Sequence, residues 1–406
     1  MTTVTAGLEA ASMQKIWRLA YSTTLVVMAF SMFGPVLAVQ LAQRGFGTAA
    51  VGAFAMIPFA CVALLIPLMP GLFAHFGMGR CYVAGLVLES VCTSGYFFSD
   101  SFAIWCASAV AGGVGAAAVW NATEALLAEH APPGQRGRVM GMYQTALGGA
   151  LAAGPFVPVL LGWKPHTTLL AAVLVQLAAL GIVMTTRIYV DKPATPHPID
   201  ILAHLPVHNT WHAVRLVPAL VCIAFAGGVF EAGLSSVSAA NGSQLGLSLA
   251  QASSIVGALG VGSFLCQFPA GLAADRFAPQ RVFGISGAVL LVASAAFAFA
   301  PQWQWLLYAT AMVWGGVGGA LYTLTMIRVS HHFSARMGAQ AVASGTAAMI
   351  TGYTMGGALG PLIGGIALQW LGAAGLSAWL CVLAVAVMVA SRRLPKAVTF
   401  GASPTF

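Results

Sequence analysis

The sequence predicts an all-α integral membrane protein: twelve transmembrane helices in two pseudo-symmetric six-helix bundles, with both termini on the inside. Three observations carry that prediction. Only 6% of the 406 residues are Asp, Glu, Lys or Arg, against roughly 25% in a soluble domain, and mean hydropathy is +0.88. A water-facing surface cannot be built from so few charges. The chain also repeats itself. Gly112-Gly113-Val114-Gly115 returns 203 residues on (112 to 315) as Gly315-Gly316-Val317-Gly318. Gly71-Leu72-Phe73-Ala74 answers to Gly271-Leu272-Ala273-Ala274 after 200 residues, and Gly154-Pro155 to Gly360-Pro361 after 206. Third, of 17 Lys and Arg only Arg44 and Lys164 fall on one side of the predicted spans, so the positive-inside rule places the other side, with both termini, in the cytoplasm.

The apolar stretches are long and do not alternate, which favours helices over barrel strands. Span one (17–42) is too long for a signal-peptide core and runs straight into a multispanning body. Span two (48–74) ends at the first-half loop, and span three (81–98) carries Glu89. Span four (102–128) carries the Gly112 repeat, Trp120, Asn121 and Glu124. Span five (138–162) holds Tyr143 and Gly154-Pro155, and span six (167–188) is featureless. Residues 191–212 form a linker: three prolines and three charges stand between Tyr189 and Asp200. It divides an amino-terminal bundle, 1–190, from a carboxy-terminal one, 213–406. Its His197, His204, His208 and His212 lack a completing Cys or a carboxylate at ligand spacing, so no metal site is assigned. Span seven (213–238) carries Glu231, and spans eight (247–274) and nine (281–299) flank a charged loop. Span ten (303–330) holds the Gly315 repeat, Tyr322 and Arg328. Spans eleven (338–365) and twelve (370–391) close the chain, and both termini read as short and disordered. The seven cysteines are odd in number, lie in or beside spans, and read as small buried hydrophobes.

Two homologous halves in so apolar a chain point to a secondary transporter, with its substrate site between the repeats near the bilayer midplane. The motifs then resemble one family. Gly271-Leu272-Ala273-Ala274-Asp275-Arg276-Phe277-Ala278-Pro279-Gln280-Arg281 resembles the signature loop of the major facilitator superfamily. The resemblance implies that Asp275 ties the loop to a helix end and to Arg276 and Arg281, holding the inside closed in the outward-open state, with Gly271 in the motif's glycine position. The first-half loop, from Pro70 to Arg80, has no acidic residue; His75 stands at or beside the place of the family's Asp-Arg. The inner gate then depends mainly on the second half, or answers to His75 protonation, with Arg80 as the remaining first-half cation. Helix eleven's Gly356, Gly360 and Pro361, and the partial version at Gly154-Pro155, are similar to the glycine–proline motif of superfamily exporters. Small residues allow close helix approach and proline permits a bend, so these positions read as hinge or as packing. Glu124 after a Trp, Arg136-Gly137-Arg138-Val139, Tyr322 and Gly360-Pro361 further resemble the YcaD-like branch of the superfamily.

Only nine Asp and Glu occur in the chain, and three fall inside spans. A charged side chain at mid-helix costs ~2.5–3.5 kcal/mol on insertion scales, so these are functional candidates. Glu124 leads, because Trp120 and Asn121 share its helical face and supply an aromatic wall and an amide. Its bland alternative is a carboxyl bonded between helices. Glu231 stands near the middle of helix seven, which the resemblance places on the cavity; Glu89 lies on helix three, placed outside it, where a structural bond fits better and lateral proton access is the alternative. Thr325, Arg328 and His332 share a face of helix ten. Arg328 suits an anionic group or Glu124, and equally suits snorkelling to the inner surface. Tyr322 and Tyr143 line the cavity or simply pack. His331 and His332 have no carboxylates beside them, and no nucleophile–base–acid set appears, which argues against an enzyme. No Walker sequence is present, so ATP drive and bound cofactors are not expected. The family's drug–proton antiporters carry an Arg within helix four, and Ala109 stands there instead.

The expectation is therefore a monomeric secondary transporter of the bacterial inner membrane, exchanging protons for export of a small polar or amphipathic organic solute. Proton-coupled uptake of a carboxylated or zwitterionic nutrient is the alternative, and a sensor or lipid-handling protein on a transporter scaffold is the rival from another class. The cations are spread along the chain rather than clustered, so nucleic acid is not an expected partner.

Overall fold

The computed structural model describes residues 2–130, 136–187, 207–334 and 339–394. Some side chains within those ranges, including those of Asp275, Arg136, Arg138, His331 and His332, fall outside the description, as does linker segment 191–206. Among the described residues all regular structure is helical. The first half contains α1 (Thr2–Gln43), α2 (Thr48–Leu65) with a 3₁₀ turn (Ile66–Leu68), α3 (Met69–Phe76), α4 (Met78–Phe98), α5 (Phe102–His130), α6 (Arg136–Ala153), α7 (Phe156–Leu160) and α8 (Pro165–Met184). The second contains α9 (Val207–Leu216), α10 (Pro218–Gly228), a π-helical turn (Val229–Gly233), α11 (Leu234–Gln244), α12 (Leu249–Arg276), α13 (Pro279–Phe297), α14 (Trp305–Ser334) and α15 (Ala339–Arg392).

Among the described residues, ten helical stretches are long and apolar enough to cross a membrane. The difference from twelve predicted spans has two local causes. Spans eleven and twelve run together as the 48-residue stretch Gly345–Arg392, interrupted at Gly372, whose φ of 65° is non-helical and suits glycine. Span five is broken instead of continuous: α6 stops at Ala153 and α7 starts at Phe156, with Pro155 capping the restart. Two further boundaries move. The carboxyl end of the 191–212 linker is helical from Val207, and span seven starts at Pro218 because Val217 (φ −130°, ψ 50°) leaves the helical region. α1 begins at Thr2, so the amino-terminal residues continue the first helix instead of preceding it.

The sequence repeat reappears as repeated geometry. α1 and α11 end in the same glycine cap: Gly45 and Gly246 have φ of 86° and 84°. Phe46 N donates to Leu41 O at 3.1 Å, and Leu247 N donates to Gly242 O at 3.0 Å, the long bond of a Schellman motif in both halves. The glycine tetrapeptides also do one job twice. A Cβ on Gly113 would stand 2.7 Å from Cys61 Cβ on α2, and a Cβ on Gly316 would stand 2.7 Å from Cys266 Sγ on α12. Helix four presses on helix two as helix ten presses on helix eight, at a separation only glycine allows.

One core cluster, from Ala213 to Leu394, lies wholly in the second half, and another, from Leu19 to Val183, wholly in the first. A third joins them: Leu37, Val51 and Phe54 pack with Ala239, Ala252 and Val256. These residues flank the 44–47 and 245–248 turns, so the halves meet at the end of the bundle that holds Arg44, and they meet again where Val62, Ile66 and Met69 pack with Ile350. Hydrogen bonds close the Arg44 end. Thr48 Oγ1 donates to Gly365 O at 2.8 Å, and Ala49 N donates to Gln369 Oε1 at 3.0 Å. Arg44 pairs with Asp100 and lies over the Trp105 ring, 4.5 Å from its centroid.

Candidate functional site

Glu231 occupies the middle of the π-helical turn Val229–Gly233, which interrupts an otherwise α-helical span. Such single-turn bulges re-aim side chains and occur often at functional sites. The widened turn sits where glycines keep neighbouring helices close. Gly318 and Gly319 of α14 face it: a Cβ on Gly318 would stand 2.7 Å from Phe230 Cβ, and one on Gly319 would stand 2.5 Å from Glu231 Oε1. Gly356 and Gly360 of α15 face it from the other side, with a Gly360 Cβ placed 3.1 Å from Val229 Cα. Pro361 adjoins the same turn, 3.0 Å from where a Gly233 Cβ would be, and α15 continues through it. These residues therefore pack the turn that carries the carboxyl.

Two helices supply the partners of that carboxyl, and a third backs one of them. Ser263 Oγ on α12 donates to Glu231 Oε1 at 2.5 Å, and Tyr353 OH on α15 donates to Glu231 Oε2 at 2.9 Å. The Tyr353 ring packs on Tyr322 of α14, with centroids 4.4 Å apart and planes at 41°. Beside them Thr323 Oγ1 donates to Gln267 Oε1 at 2.5 Å, linking α14 to α12. Both oxygens of Glu231 are thus held by hydroxyl donors, an arrangement that fixes the carboxylate in space.

Glu124 sits on α5 in the opposite half. Trp120 Nε1 donates to Glu124 Oε1 at 2.8 Å across one helical turn, so the pair expected on one face is bonded directly. Asn121 is occupied by its own helix, with Nδ2 donating to Ala117 O at 2.8 Å. Tyr322 lies within electrostatic reach of both Glu124 and Glu231, and Tyr143 within reach of Glu124. Tyr143 is 1% exposed, and its hydroxyl has no hydrogen-bond partner among the described residues. The structure therefore brings Glu124, Trp120, Tyr143, Tyr322 and Glu231 into one electrostatic neighbourhood spanning both halves.

The remaining predicted residues lie elsewhere. Arg328 donates from Nη2 to Ala274 O at 3.2 Å, at the carboxyl end of α12. It ties helix ten to the signature loop. Asp275's side chain lies outside the described residues; Arg276 is exposed, and Arg281 lies over the Phe277 ring at 5.6 Å. His75, in the last turn of α3, and Arg80, in the first turn of α4, are exposed, with the His75 ring 4.5 Å from that of Phe76. Gly271 has open space where a Cβ would point. Gly154 leaves room for Ser31 of α1, whose Oγ donates to Ala150 O at 3.0 Å, and Pro155 starts α7. Glu89 is buried between α4 and α5, where a Gly115 Cβ would stand 3.1 Å from its Cγ.

Ser263, Gln267, Thr323 and Tyr353 were not legible as site residues. Uncharged polar side chains in a span are common, and nothing in their own spacing points across to Glu231. A signal existed for the turn itself: Gly227-Gly228 and Gly233 bracket Glu231, and such a cluster marks backbone able to deviate from the α-helix.

Comparison with known proteins agrees with this architecture. The Major Facilitator Superfamily profile matches residues 19–242 and 220–404. An uncharacterized MFS-type transporter, YfkF of Bacillus subtilis (strain 168), is 21% identical over 348 residues, covering 85% of this chain and 86% of that one. Among solved structures, nucleoside transporter NupG superposes with a TM-score of 0.72 at 12% identity, over 93% of this chain and 97% of that chain. A D-xylose–proton symporter superposes with a TM-score of 0.66 at 14% identity, over 93% and 96%. At those identities the likeness speaks for the fold alone, while the profile spans nearly the whole chain. This protein belongs to the major facilitator superfamily and is a multi-pass secondary transporter, not an enzyme.

Proposed function

We propose that the chain exchanges protons for a small polar or amphipathic organic solute, exporting it across a bacterial inner membrane. Twelve spans then form two bundles of six, 1–190 and 213–406, joined by a linker on the cytoplasmic side and working as a monomer. The observation that carries this reading is the pair of intramembrane carboxyls, Glu124 and Glu231, one in each half, with Tyr322 in electrostatic reach of both. A carboxyl in each half gives a solute and a proton a shared binding group on each side of the moving interface. With both termini inside, the contact of the halves near Arg44, Thr48 and Gln369 is an outer gate in its closed position. Asp275, Arg276 and Arg281 then belong to the inner gate, with His75 and Arg80 its weaker first-half counterpart.

The solute's chemistry follows from the lining. Carboxyls and aromatic rings favour a compound with a hydrogen-bond-donating or cationic group on a flat or apolar body. Drug-like compounds and metal-chelating metabolites both have that form. Uptake remains the second reading, because a proton symporter is among the proteins of like fold. A place in the YcaD-like branch is part of this proposal, supported by Glu124 after a Trp, Arg136-Gly137-Arg138-Val139, Tyr322 and Gly360-Pro361.

Comparing small molecules inside and outside cells that carry the native protein or Glu124→Gln tests direction and site together. A compound retained inside the variant cells establishes export. One left in the medium establishes uptake. No difference for any solute refutes the role of Glu124 and favours a sensor or lipid-handling protein.

A further inference from the structure

Away from the carboxyl network, the second half carries a groove of about 460 Å³ between the start of α10 and the end of α15. Leu216, Pro218, Cys222, Val389 and Ala390 wall it, and Arg393 stands at one end. Its walls are apolar over most of their length, and no acidic residue is among the described residues that line it. Cys222, Val389 and Arg393 are exposed, so the groove opens on the outer surface of the bundle, where the neighbours are lipids.

A second feature meets it there. The break at Val217 turns the chain between α9 and α10, and α9 packs against α15. α9 buries Ala213 while exposing Trp211 and Leu216. Arg215 lies one turn after Trp211, with its guanidinium 6.0 Å from the ring centroid. An exposed Trp beside an Arg, on a short helix adjoining a span, is the pattern of a helix lying at the membrane interface. Arg393 lines the groove, and the exposed Arg215 is the chain neighbour of Leu216, which also lines it. Gln280 Nε2 of α13 donates to Leu394 O at 3.0 Å and ties the end of α15 to its neighbour.

We propose that this groove binds an anionic phospholipid, with an acyl chain lying between α10 and α15 and the phosphate held by Arg393 and Arg215. Charge complementarity selects the anionic headgroup, since basic pockets at helix ends attract anionic lipids. The apolar walls select a lipid over free phosphate, which has no use for them. The site stands apart from Glu124 and Glu231 and does not depend on which solute is carried.

The test uses the full chain purified in an uncharged detergent. Phosphatidylglycerol, phosphatidylcholine with the same chains, and inorganic phosphate are each titrated while the unfolding midpoint is followed. Bound lipid is counted by native mass spectrometry. The expected result is a midpoint raised by several degrees with phosphatidylglycerol only, and one lipid retained. Arg215→Gln/Arg393→Gln should weaken that binding at least tenfold, as should Ala386→Phe, which fills the groove from its wall. An equal shift with phosphatidylcholine or phosphate overturns the proposal. So does undiminished phosphatidylglycerol binding by both variants. Should the variants fold poorly, the comparison of the two lipids on the native protein still decides.

Discussion

Glu231→Gln is expected to reduce proton-coupled solute flux to background while leaving a folded protein. Gln keeps the volume and one acceptor for Ser263 or Tyr353, but cannot exchange a proton. The hydroxyl partners grade the effect. Removing a hydrogen bond to a charged group costs about 1.5–3 kcal/mol, so Tyr353→Phe should slow flux roughly tenfold to hundredfold. Ser263→Ala should act in the same range, because its bond to Oε1 is the shorter of the two (2.5 Å against 2.9 Å). Flux into proteoliposomes under an imposed pH gradient, with the membrane-inserted amount quantified, measures all three. Full activity in Glu231→Gln would remove Glu231 from the mechanism and leave Ser263 and Tyr353 as packing.

Gly228→Ala is expected to be among the most disruptive single-methyl changes in the chain. Its added Cβ would run into the carbonyl of Tyr353, with the Tyr353 carbonyl carbon 2.8 Å away and Gly357 N 3.1 Å away. Both obstacles are backbone, so relief requires α10 and α15 to part just beneath the turn that holds Glu231. Overpacking of this kind costs about 1–3 kcal/mol and sometimes more. Here it also displaces Tyr353 from the carboxyl. The expected outcome is a lowered unfolding midpoint together with flux falling as in Tyr353→Phe. Gly149→Ala is the control: nothing lies within 4 Å of its Cβ, so helix propensity alone predicts no loss and a gain of up to about 1 kcal/mol. A Gly228→Ala protein as stable and active as the native one would show that the close approach of α10 and α15 is not needed.

The repeat was the part of the fold most legible in the sequence, because glycine is the residue that close helix contact and left-handed caps both demand. Gly113 and Gly316 make equivalent contacts, and Gly45 and Gly246 end equivalent helices. Helix ends were less legible. The break at Gly154-Pro155 and the turn at Val217 depend on how neighbouring helices accept a freed backbone, which hydropathy does not record. Of the site, the Trp120–Glu124 pair could be read because i and i+4 share a helix face. The shell around Glu231 could not, since it is assembled from three other helices whose mutual rotation is set by packing.

The most direct test of the central claim is coupled flux through the purified protein. Everted membrane vesicles or proteoliposomes carrying the native chain receive an imposed pH gradient, and both internal pH and the solute identified by cell comparison are followed. Solute and protons are expected to move in opposite directions in fixed proportion, and both movements to stop together in Glu231→Gln and in Glu124→Gln. Solute movement that ignores the pH gradient, or that continues unchanged in both variants, would contradict that claim.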